Sequence, residues 1–418
     1  MNAQMSVAPQ KTIPSMAYAI GICIAFTLVM AGITAVMHSS DMMAAPMTIK
    51  TSAAFLGFSF IVAVIATLRL SRISVWNVTA QVLPMWFSIT AFMVIMLLAF
   101  RLDYSIVFLG FSWPVGLLML IILGRMVSGQ SHMVIGILPG VDRDITKGQQ
   151  VVALDEKASV EEKLDLVLAS RDDMTNPKYA AMLSALAGKR IPVLPDQSYR
   201  EQITGRVDHH QVDAAELMQL RPFRRYMMVK RLSDIVMASV GLVLLSPLMV
   251  VVAIMIKLES SGPAIFIQRR VGESGQEFKM YKFRSMVQDA EKSGAKFATS
   301  GDARVTSLGR VIRKLRIDEL PQLINVLMGT MSMIGPRPEQ KAFVDDLEKE
   351  IPLYPIRHAV RPGITGWAQV MQGYADDVSS TDVKLSYDLF YIKNLSLMMD
   401  MVIFFKTIKT IITGFGAR

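Results

Sequence analysis

The sequence predicts a membrane protein in three parts: an α-helical N-terminal bundle over residues 1–128, a small cytosolic α/β module over 129–212, and a mainly α domain over 213–418 that carries a re-entrant membrane hairpin. Three observations predict it. Of the 418 residues 52% are hydrophobic and 31 are Met, too apolar for a chain that meets only water. Four uncharged apolar runs open the chain, each about long enough to cross a bilayer as a helix. A later apolar run is interrupted by Ser246-Pro247 and is basic at both ends.

The four runs are Met16–Met37, Ala53–Leu68, Val82–Phe100 and Ile106–Leu123. The first is longer than the apolar core of a signal peptide, lacks a small-residue cleavage site and is followed by three more spans, so it reads as an anchor. Lys11, Arg69, Arg72 and Arg125 fall on one side of such a bundle, against Lys50 and Arg101 on the other. The positive-inside rule then puts both ends of the bundle, and everything after Arg125, in the cytoplasm. A transport path would need ionisable residues within the membrane, and the runs hold no Asp, Glu, Lys or Arg.

From about Ser131 to Asp208 the composition turns soluble. Short β-like runs at Met133–Leu138, Val151–Leu154, Leu166–Ala169 and Ile191–Leu194 alternate with helical stretches, as in a βαβ module. Gly136 and Gly140 do not make a G-x-G-x-x-G turn, which favours an interaction or regulatory role over nucleotide binding.

Phe223 to Lys230 mixes aromatic and Met residues with Arg224, Arg225 and Lys230, a composition suited to an interfacial helix over anionic headgroups. Ile235–Ile256 then supplies 22 uncharged residues, nominally enough to span. Pro247 in its middle removes a helical hydrogen bond and collides with the Val243 carbonyl. Lys230 and Arg231 precede the run and Lys257, Arg269 and Arg270 follow it, so both flanks prefer the same side. A broken helix that dips into one leaflet and returns meets both observations, with the Ser246 hydroxyl on hand for a stranded carbonyl. The alternative is a kinked spanning helix.

Pro263–Gly272 and Phe278–Met286 read as two short strands around a Gly turn. The chemistry is expected between Arg310 and Pro338, where Arg316-Ile317-Asp318-Glu319-Leu320-Pro321-Gln322 sets two adjacent carboxylates among cations. Pro321 fits a helix only in its first turn, so a helix should begin between Asp318 and Leu320 and run to Met328. Both acids would then sit at a helix N-terminus, where the macrodipole lowers a carboxylate pKa and also holds phosphate. Arg310, Arg313, Lys314 and Arg316 upstream add positive charge, and Arg337 is held between Pro336 and Pro338 downstream. The plain alternative is that Asp318 only caps a helix and Glu319 is solvated. Arg361–Val370, with Trp367 and Gln369, is either a wall for a ring-shaped ligand or a tight buried turn. Met398–Ile412 is apolar on one side, as in a helix lying along a membrane surface.

Composition narrows the chemistry further. Cys23 is the one cysteine and falls in an apolar run, which excludes a disulfide framework, and five scattered His show no Cys/His zinc spacing. Any metal is expected to be held by oxygen. The net charge of +9 is concentrated, since residues 223–316 hold 17 Lys/Arg against 7 Asp/Glu. Anionic lipid and phosphorylated small molecules suit such a segment. Nucleic acid does not, because neither arginine-aromatic interleaving nor a recognition helix accompanies the charge.

Taken in order, the motifs from about Tyr226 to Thr413 resemble the bacterial sugar transferases, the polyprenyl-phosphate hexose-1-phosphate transferases that start exopolysaccharide and O-antigen repeats. The four-helix N-terminus and middle domain look like the larger members of that family. The resemblance implies a bacterial inner-membrane enzyme with a cytoplasmic catalytic domain and a re-entrant Ser246-Pro247 hairpin. It implies that Asp318 is the nucleophile, that Glu319 joins it in catalysis and helps hold Mg²⁺, and that Pro336-Arg337-Pro338 lies near the uridine end of a UDP-sugar. Hexose-1-phosphate would pass to Asp318 with release of UMP, and then to polyprenyl (undecaprenyl) phosphate. Lys282, Arg304, Arg310 and Arg313 are candidates for diphosphate contacts. Arg316-Ile317 stands where many relatives carry Ser or Thr before Leu-Asp-Glu, and Ile317 is given no role. Two rivals remain: a metal-dependent glycosyltransferase that releases UDP, and a membrane scaffold that recruits assembly proteins. No residue reads the identity of the hexose, and a homo-oligomer would pair through the bundle and middle module.

Overall fold

The structure is a computed structural model that describes residues 13–37, 46–73, 78–128, 134–146, 149–155, 164–210, 224–287, 302, 304–372 and 378–413. Lys11, Met133 and Phe223 lie outside the described residues, as do the side chains of Arg69, Arg72 and Arg224. The chain divides into two units, Met1–Ile203 and Thr204–Arg418.

The first unit opens with four long helices, α1 (Ile13–Met37), α2 (Met47–Ile73), α3 (Val78–Ala99) and α4 (Ile106–Ser128). Each contains a stretch long and apolar enough to cross a membrane. Aromatic packing ties the bundle together: Phe26 stacks on Phe60 with centroids 3.9 Å apart, and Phe60 meets Trp86 edge-on. The two indole N–H groups are paired inside it. Trp86 Nε1 donates to the Trp113 carbonyl at 3.2 Å and Trp113 Nε1 to Thr90 Oγ1 at 2.9 Å, as a helix bundle in lipid requires of its polar groups. The outward faces carry Leu28, Phe58, Phe92 and Phe111, all exposed as lipid-facing residues should be.

The same unit holds a parallel sheet of β1 (Val134–Ile137), β2 (Gln150–Ala153), β3 (Leu166–Ala169) and β4 (Val193–Pro195), in the order β2-β1-β3-β4. Helices α5 (Arg171–Thr175) and α6 (Pro177–Gly188) link β3 to β4, and α7 (Asp196–Thr204) follows. Asp173 closes a capping box with Ser170, and its Oδ2 also accepts from the Gly140 N–H at 3.1 Å. The Gly140 N–H is thus taken up by a carboxylate of the same module. A Cβ at position 140 would lie 2.4 Å from Ser170 Oγ, so glycine there serves close packing.

The second unit begins with α8 (Arg224–Glu259), 36 residues long, with Pro247 inside it. Ser246 Oγ donates to the Val243 carbonyl at 2.8 Å, taking up an acceptor that Pro247, which has no N–H, cannot serve. Polar clamps hold α8 to the rest of the unit at both ends. Arg231 donates to the Val326 and Leu327 carbonyls at 2.6 and 2.8 Å. At the other end Arg284 donates to the Ser261 and Ser260 carbonyls at 2.6 and 2.8 Å, while Glu259 Oε1 accepts from the Leu308 N–H. Between the clamps Val243 and Leu244 are more than 70% exposed, an apolar face that only lipid would welcome.

Beyond α8, β5 (Ile265–Val271) and β6 (Glu277–Phe283) form an antiparallel hairpin whose turn uses Gly275 at φ 72°. Then come α9 (Ser307–Lys314), a 3-10 turn at Ile317–Glu319 and α10 (Gln322–Met328). β7 (Ser332–Ile334) pairs in parallel with β8 (Gly363–Thr365), flanking α11 (Lys341–Glu350) in sequence. A Cβ on Gly363 would stand 2.1 Å from the Gly335 nitrogen, so these backbones touch only because neither carries a side chain. The chain closes with α12 (Trp367–Met371), α13 (Val378–Lys393) and α14 (Leu397–Thr413). Trp367 is buried and donates to the Gly205 carbonyl at 2.8 Å, so Arg361–Val370 is the tight buried turn and offers no indole wall to a ligand.

Candidate active site

The two acids sit one step before the expected helix. Arg316 takes the left-handed conformation at φ 58° and starts the 3-10 turn that carries Asp318 and Glu319, while α10 begins only at Gln322. The expected reason for a low pKa, the helix macrodipole, therefore gives way to burial and neighbouring charge. Leu320 and Pro321 separate the acids from α10, and its first N–H groups are used locally: Leu323 N–H bonds the Leu320 carbonyl and Ile324 N–H that of Pro321.

Glu319 is buried and clamped. Its Oε1 accepts from Arg337 Nη2 at 2.9 Å and from Arg316 Nη1 at 3.4 Å. Burial pushes its carboxyl up, but the charges of Arg337, Lys282 and Arg316 overcome that and hold it below the usual carboxylate range. Asp318 behaves oppositely. Burial, and then the Glu319 charge beside it, raise its pKa against the pull of Lys282, Arg337 and Arg316. Its Oδ1 has no solvent access and no hydrogen-bond partner among the described residues. Lys282, on β6, is lowered by burial and by the charges of Arg337 and Arg270. Two adjacent carboxyl groups thus have their pKa values driven apart, one held low by guanidinium groups and the other raised by burial and its neighbour's charge.

Arg337 is positioned by its backbone. The carbonyls of residues 336 to 339 all accept hydrogen bonds: Pro336 from the Gly363 N–H, Arg337 from Arg357 Nη2 at 2.9 Å, Pro338 from Arg270 Nη1 at 3.1 Å and Glu339 from the Val271 N–H. Arg357 is itself gripped by Asp388 Oδ2 at 2.8 Å and the Tyr354 hydroxyl at 2.6 Å, all buried. Glu339 binds Lys384 and Arg270. Arg270, Arg357, Asp388 and Lys384 were missed as site residues from the sequence. Only Asp388 carries a signal, a lone charge between aromatic residues in Tyr387-Asp388-Leu389-Phe390.

The structure brings Asp318, Glu319, Lys282, Arg316 and Arg337 together, with Pro336 and Pro338 beside the last. The other expected cations are engaged elsewhere. Arg304 forks onto Asp302 at 2.9 and 2.6 Å, the charge of Arg313 also bears on Asp302, and exposed Arg310 reaches Ser307 on its own helix. None of the three is among the groups whose charge bears most on Asp318.

Oxygen donors and the buried, unpaired Asp318 Oδ1 suit a hard divalent cation. Mg²⁺ commonly binds one or two carboxylates and completes its shell with phosphate and water, which fits a site of two acids already flanked by three cations.

Comparison with known proteins identifies a family. Residues 225–414 match the family described as bacterial sugar transferase. The chain is similar to a UDP-N-acetylgalactosamine-undecaprenyl-phosphate N-acetylgalactosaminephosphotransferase of Aeromonas hydrophila, 52% identical over 61% of each chain. It is also similar to UDP-glucose:undecaprenyl-phosphate glucose-1-phosphate transferases. That of Escherichia coli K12 is 42% identical over 43% of this chain and 39% of its own length, and that of Caulobacter vibrioides 39% identical over 50% and 82%. The match therefore spans about three fifths of the first of these relatives and two fifths of the second.

Proposed function

The chain belongs to the bacterial sugar transferase family, and from that premise we propose that it transfers a hexose-1-phosphate from a UDP-sugar to polyprenyl (undecaprenyl) phosphate at the cytoplasmic face of the bacterial inner membrane. The observation that carries the reading is the contrast within one dipeptide. Glu319 is tied down by two guanidinium groups, while Asp318 Oδ1 is buried beside the same cations without a partner.

In this mechanism the Asp318 carboxylate attacks the sugar-bearing phosphorus. A bond forms between its oxygen and that phosphorus, the bridging P–O bond breaks, and UMP leaves. Arg337 and Lys282 neutralise the incoming diphosphate, which an anionic nucleophile could not otherwise approach. Glu319, with the phosphates, would hold Mg²⁺, and the ion would supply Lewis-acid stabilisation of phosphoryl charge. A phosphate oxygen of the polyprenyl acceptor then attacks the same phosphorus and releases Asp318.

The acceptor stays in lipid, so the site must sit at the bilayer surface, and α8 supplies the anchor. A straight helix puts Gly241 and Ile256 about 22 Å apart. Yet Leu323 lies over Gly241, while Leu320, three residues earlier, packs in the cluster of Val252 and Ile256. That supports a bend at Ser246-Pro247 and a hairpin with both arms on one side.

The names of the similar proteins divide between N-acetylgalactosamine and glucose, and the higher identity makes a UDP-linked 2-acetamido hexose the first donor to test. The test uses purified protein, polyprenyl phosphate, Mg²⁺ and a panel of UDP-sugars, with the released nucleotide as readout. UMP with a polyprenyl diphosphosugar supports the reading. Release of UDP alone would identify a transferase that moves only the sugar, and assembly that proceeds without turnover would identify a scaffold.

A further inference from the structure

Far along the chain from the acid pair, His209, His210 and Asp382 meet. We propose that these three side chains form a second metal site, for a divalent cation of the zinc class, that clips residues 204–210 onto α13.

The framework is set before the ligands enter. Trp367 Nε1 bonds the Gly205 carbonyl, the Val207 N–H bonds the Ser386 carbonyl at 3.0 Å, and Arg206 lies over the Tyr387 ring. Val207 is fully buried. The two imidazoles that follow are delivered to Asp382, one helical turn before Ser386 on α13. His209 Nε2 lies 2.9 Å from Asp382 Oδ1 and His210 Nε2 lies 3.2 Å from Oδ2. The three donor atoms fall within 4.8 Å of one another.

The hydrogen bonds around His209 favour a cation. Ser386 Oγ lies 3.3 Å from both the Asp382 main-chain carbonyl and His209 Nδ1, and with its proton on the carbonyl it offers Nδ1 a lone pair. In that arrangement Nδ1 carries the proton and Nε2 presents its lone pair to the Asp382 oxygen, the tautomer a metal ligand needs. Two lone pairs at 2.9 Å repel unless a positive centre lies between them. Orientation of a ligating imidazole through its other nitrogen is a usual feature of metal sites. The second imidazole converging on the same carboxylate favours a metal ion over a proton. A tetrahedral zinc with bonds of about 2.1 Å keeps neighbouring ligand atoms about 3.4 Å apart, tenths of an ångström more than the 2.9 and 3.2 Å of the two imidazole–carboxylate pairs. The His210 side chain is 69% exposed, so it can move by that much and leaves the fourth position open to water. Two nitrogens and one carboxylate select zinc, cobalt or nickel over Mg²⁺, which prefers an all-oxygen shell.

The full chain, purified in detergent without a histidine tag and stripped with EDTA, is titrated with Co²⁺ in excess Mg²⁺, which keeps the carboxylate site filled. One equivalent is expected to bind with the intense visible bands of a four-coordinate ion, to be displaced by Zn²⁺, and to bind tenfold or more weakly in both His210→Ala and Asp382→Asn. Zn²⁺ should raise Tm in the parent and not in His210→Ala, a variant at an exposed position that preserves the fold. Equal Co²⁺ binding by parent and His210→Ala, or no binding by either, overturns the proposal. The second outcome would leave a plain His–Asp ion pair.

Discussion

Arg357 Nη2 donates to the main-chain carbonyl of Arg337 at 2.9 Å, and the Arg337 guanidinium placed by that bond reaches Glu319 Oε1 at 2.9 Å. A buried pair, Arg357 with Asp388, thereby sets the position of a side chain at the acid site. Lys in place of Arg357 keeps the charge but cannot serve the Arg337 carbonyl, Asp388 and Tyr354 together. We expect Arg357→Lys to lower kcat about 10- to 100-fold through a displaced Arg337, a size typical for lost positioning. Breaking the pair outright with Asp388→Ala should cost on the order of 3–5 kcal/mol of stability. Initial rates beside thermal melts separate the two effects, and a rate loss no larger than the melting loss predicts would refute the positioning role.

In the proposed reaction Asp318 must be ionised to attack, and burial with the Glu319 charge raises its pKa. Below that raised pKa the carboxyl is neutral and inert, so kcat/KM should rise with pH along a limb lying above the usual carboxylate range. Arg316 is one of the charges pulling this pKa down. Its replacement in Arg316→Gln should move the limb to higher pH by roughly half a unit, given an indirect and partly screened charge. A pH–rate profile at saturating Mg²⁺ checks the sign, and movement toward lower pH would refute it.

Asp318→Asn and Glu319→Gln should fail differently. The first removes the nucleophile, so turnover should fall by about 10³-fold or more and no phosphosugar should attach to the protein. The second leaves the nucleophile but weakens the hold on Mg²⁺, so the metal dependence should shift to higher concentration by tenfold or more. Quenched reactions with donor labelled in the sugar-bearing phosphate, followed by peptide mapping, test the first. Mg²⁺ titrations of rate test the second.

The spans, the sheet strands and the acid dipeptide were legible in the sequence because each rests on local pattern: unbroken apolar length, β-branched runs, and charge beside Pro321. What was not legible depends on long-range pairing. The helix expected from Asp318 starts at Gln322 because Arg316 turns left-handed and spends the acids on a 3-10 turn. His209-His210 carried no metal spacing, since Asp382 lies 172 residues beyond His210. Lone acids inside apolar runs, Asp234, Asp388 and Asp400, were the neglected clue, and every one is buried with a partner.

Asp400 shows how much such a partner matters. Its Oδ2 accepts from Lys230 Nζ at 2.7 Å and from the Tyr226 hydroxyl, and its Oδ1 from Tyr391 at 2.8 Å, joining α14 to the start of α8. Asp400→Ala would leave Lys230 buried without its counter-charge, at a cost on the order of 3–5 kcal/mol. The variant should melt well below the parent or fail to accumulate in membranes. The double change Lys230→Met with Asp400→Leu removes both charges and should recover much of the loss, which melting of the purified variants will measure.

The hairpin makes a prediction that the spanning alternative cannot share. Arg225 and Lys257 are both exposed and lie at the two ends of α8. A straight helix would separate them by about 48 Å, enough to cross a bilayer and leave each end in water on an opposite side. A break at Ser246-Pro247 returns Lys257 to the side it left. Cys23 is the chain's one cysteine, so Cys23→Ser gives a clean background. Into it Arg225→Cys and Lys257→Cys are introduced singly. In sealed inverted vesicles, where the cytoplasmic face is outward, both should react with a membrane-impermeant maleimide, and in intact spheroplasts neither should. Reaction of the two from opposite faces would place Lys257, and with it the polar anchor of Glu259 on Leu308, across the membrane from Arg225. Pro247→Ala should in turn straighten α8 and lower transfer to the lipid acceptor more than it lowers labelling of Asp318 by the soluble donor, because only the acceptor depends on the depth of the site.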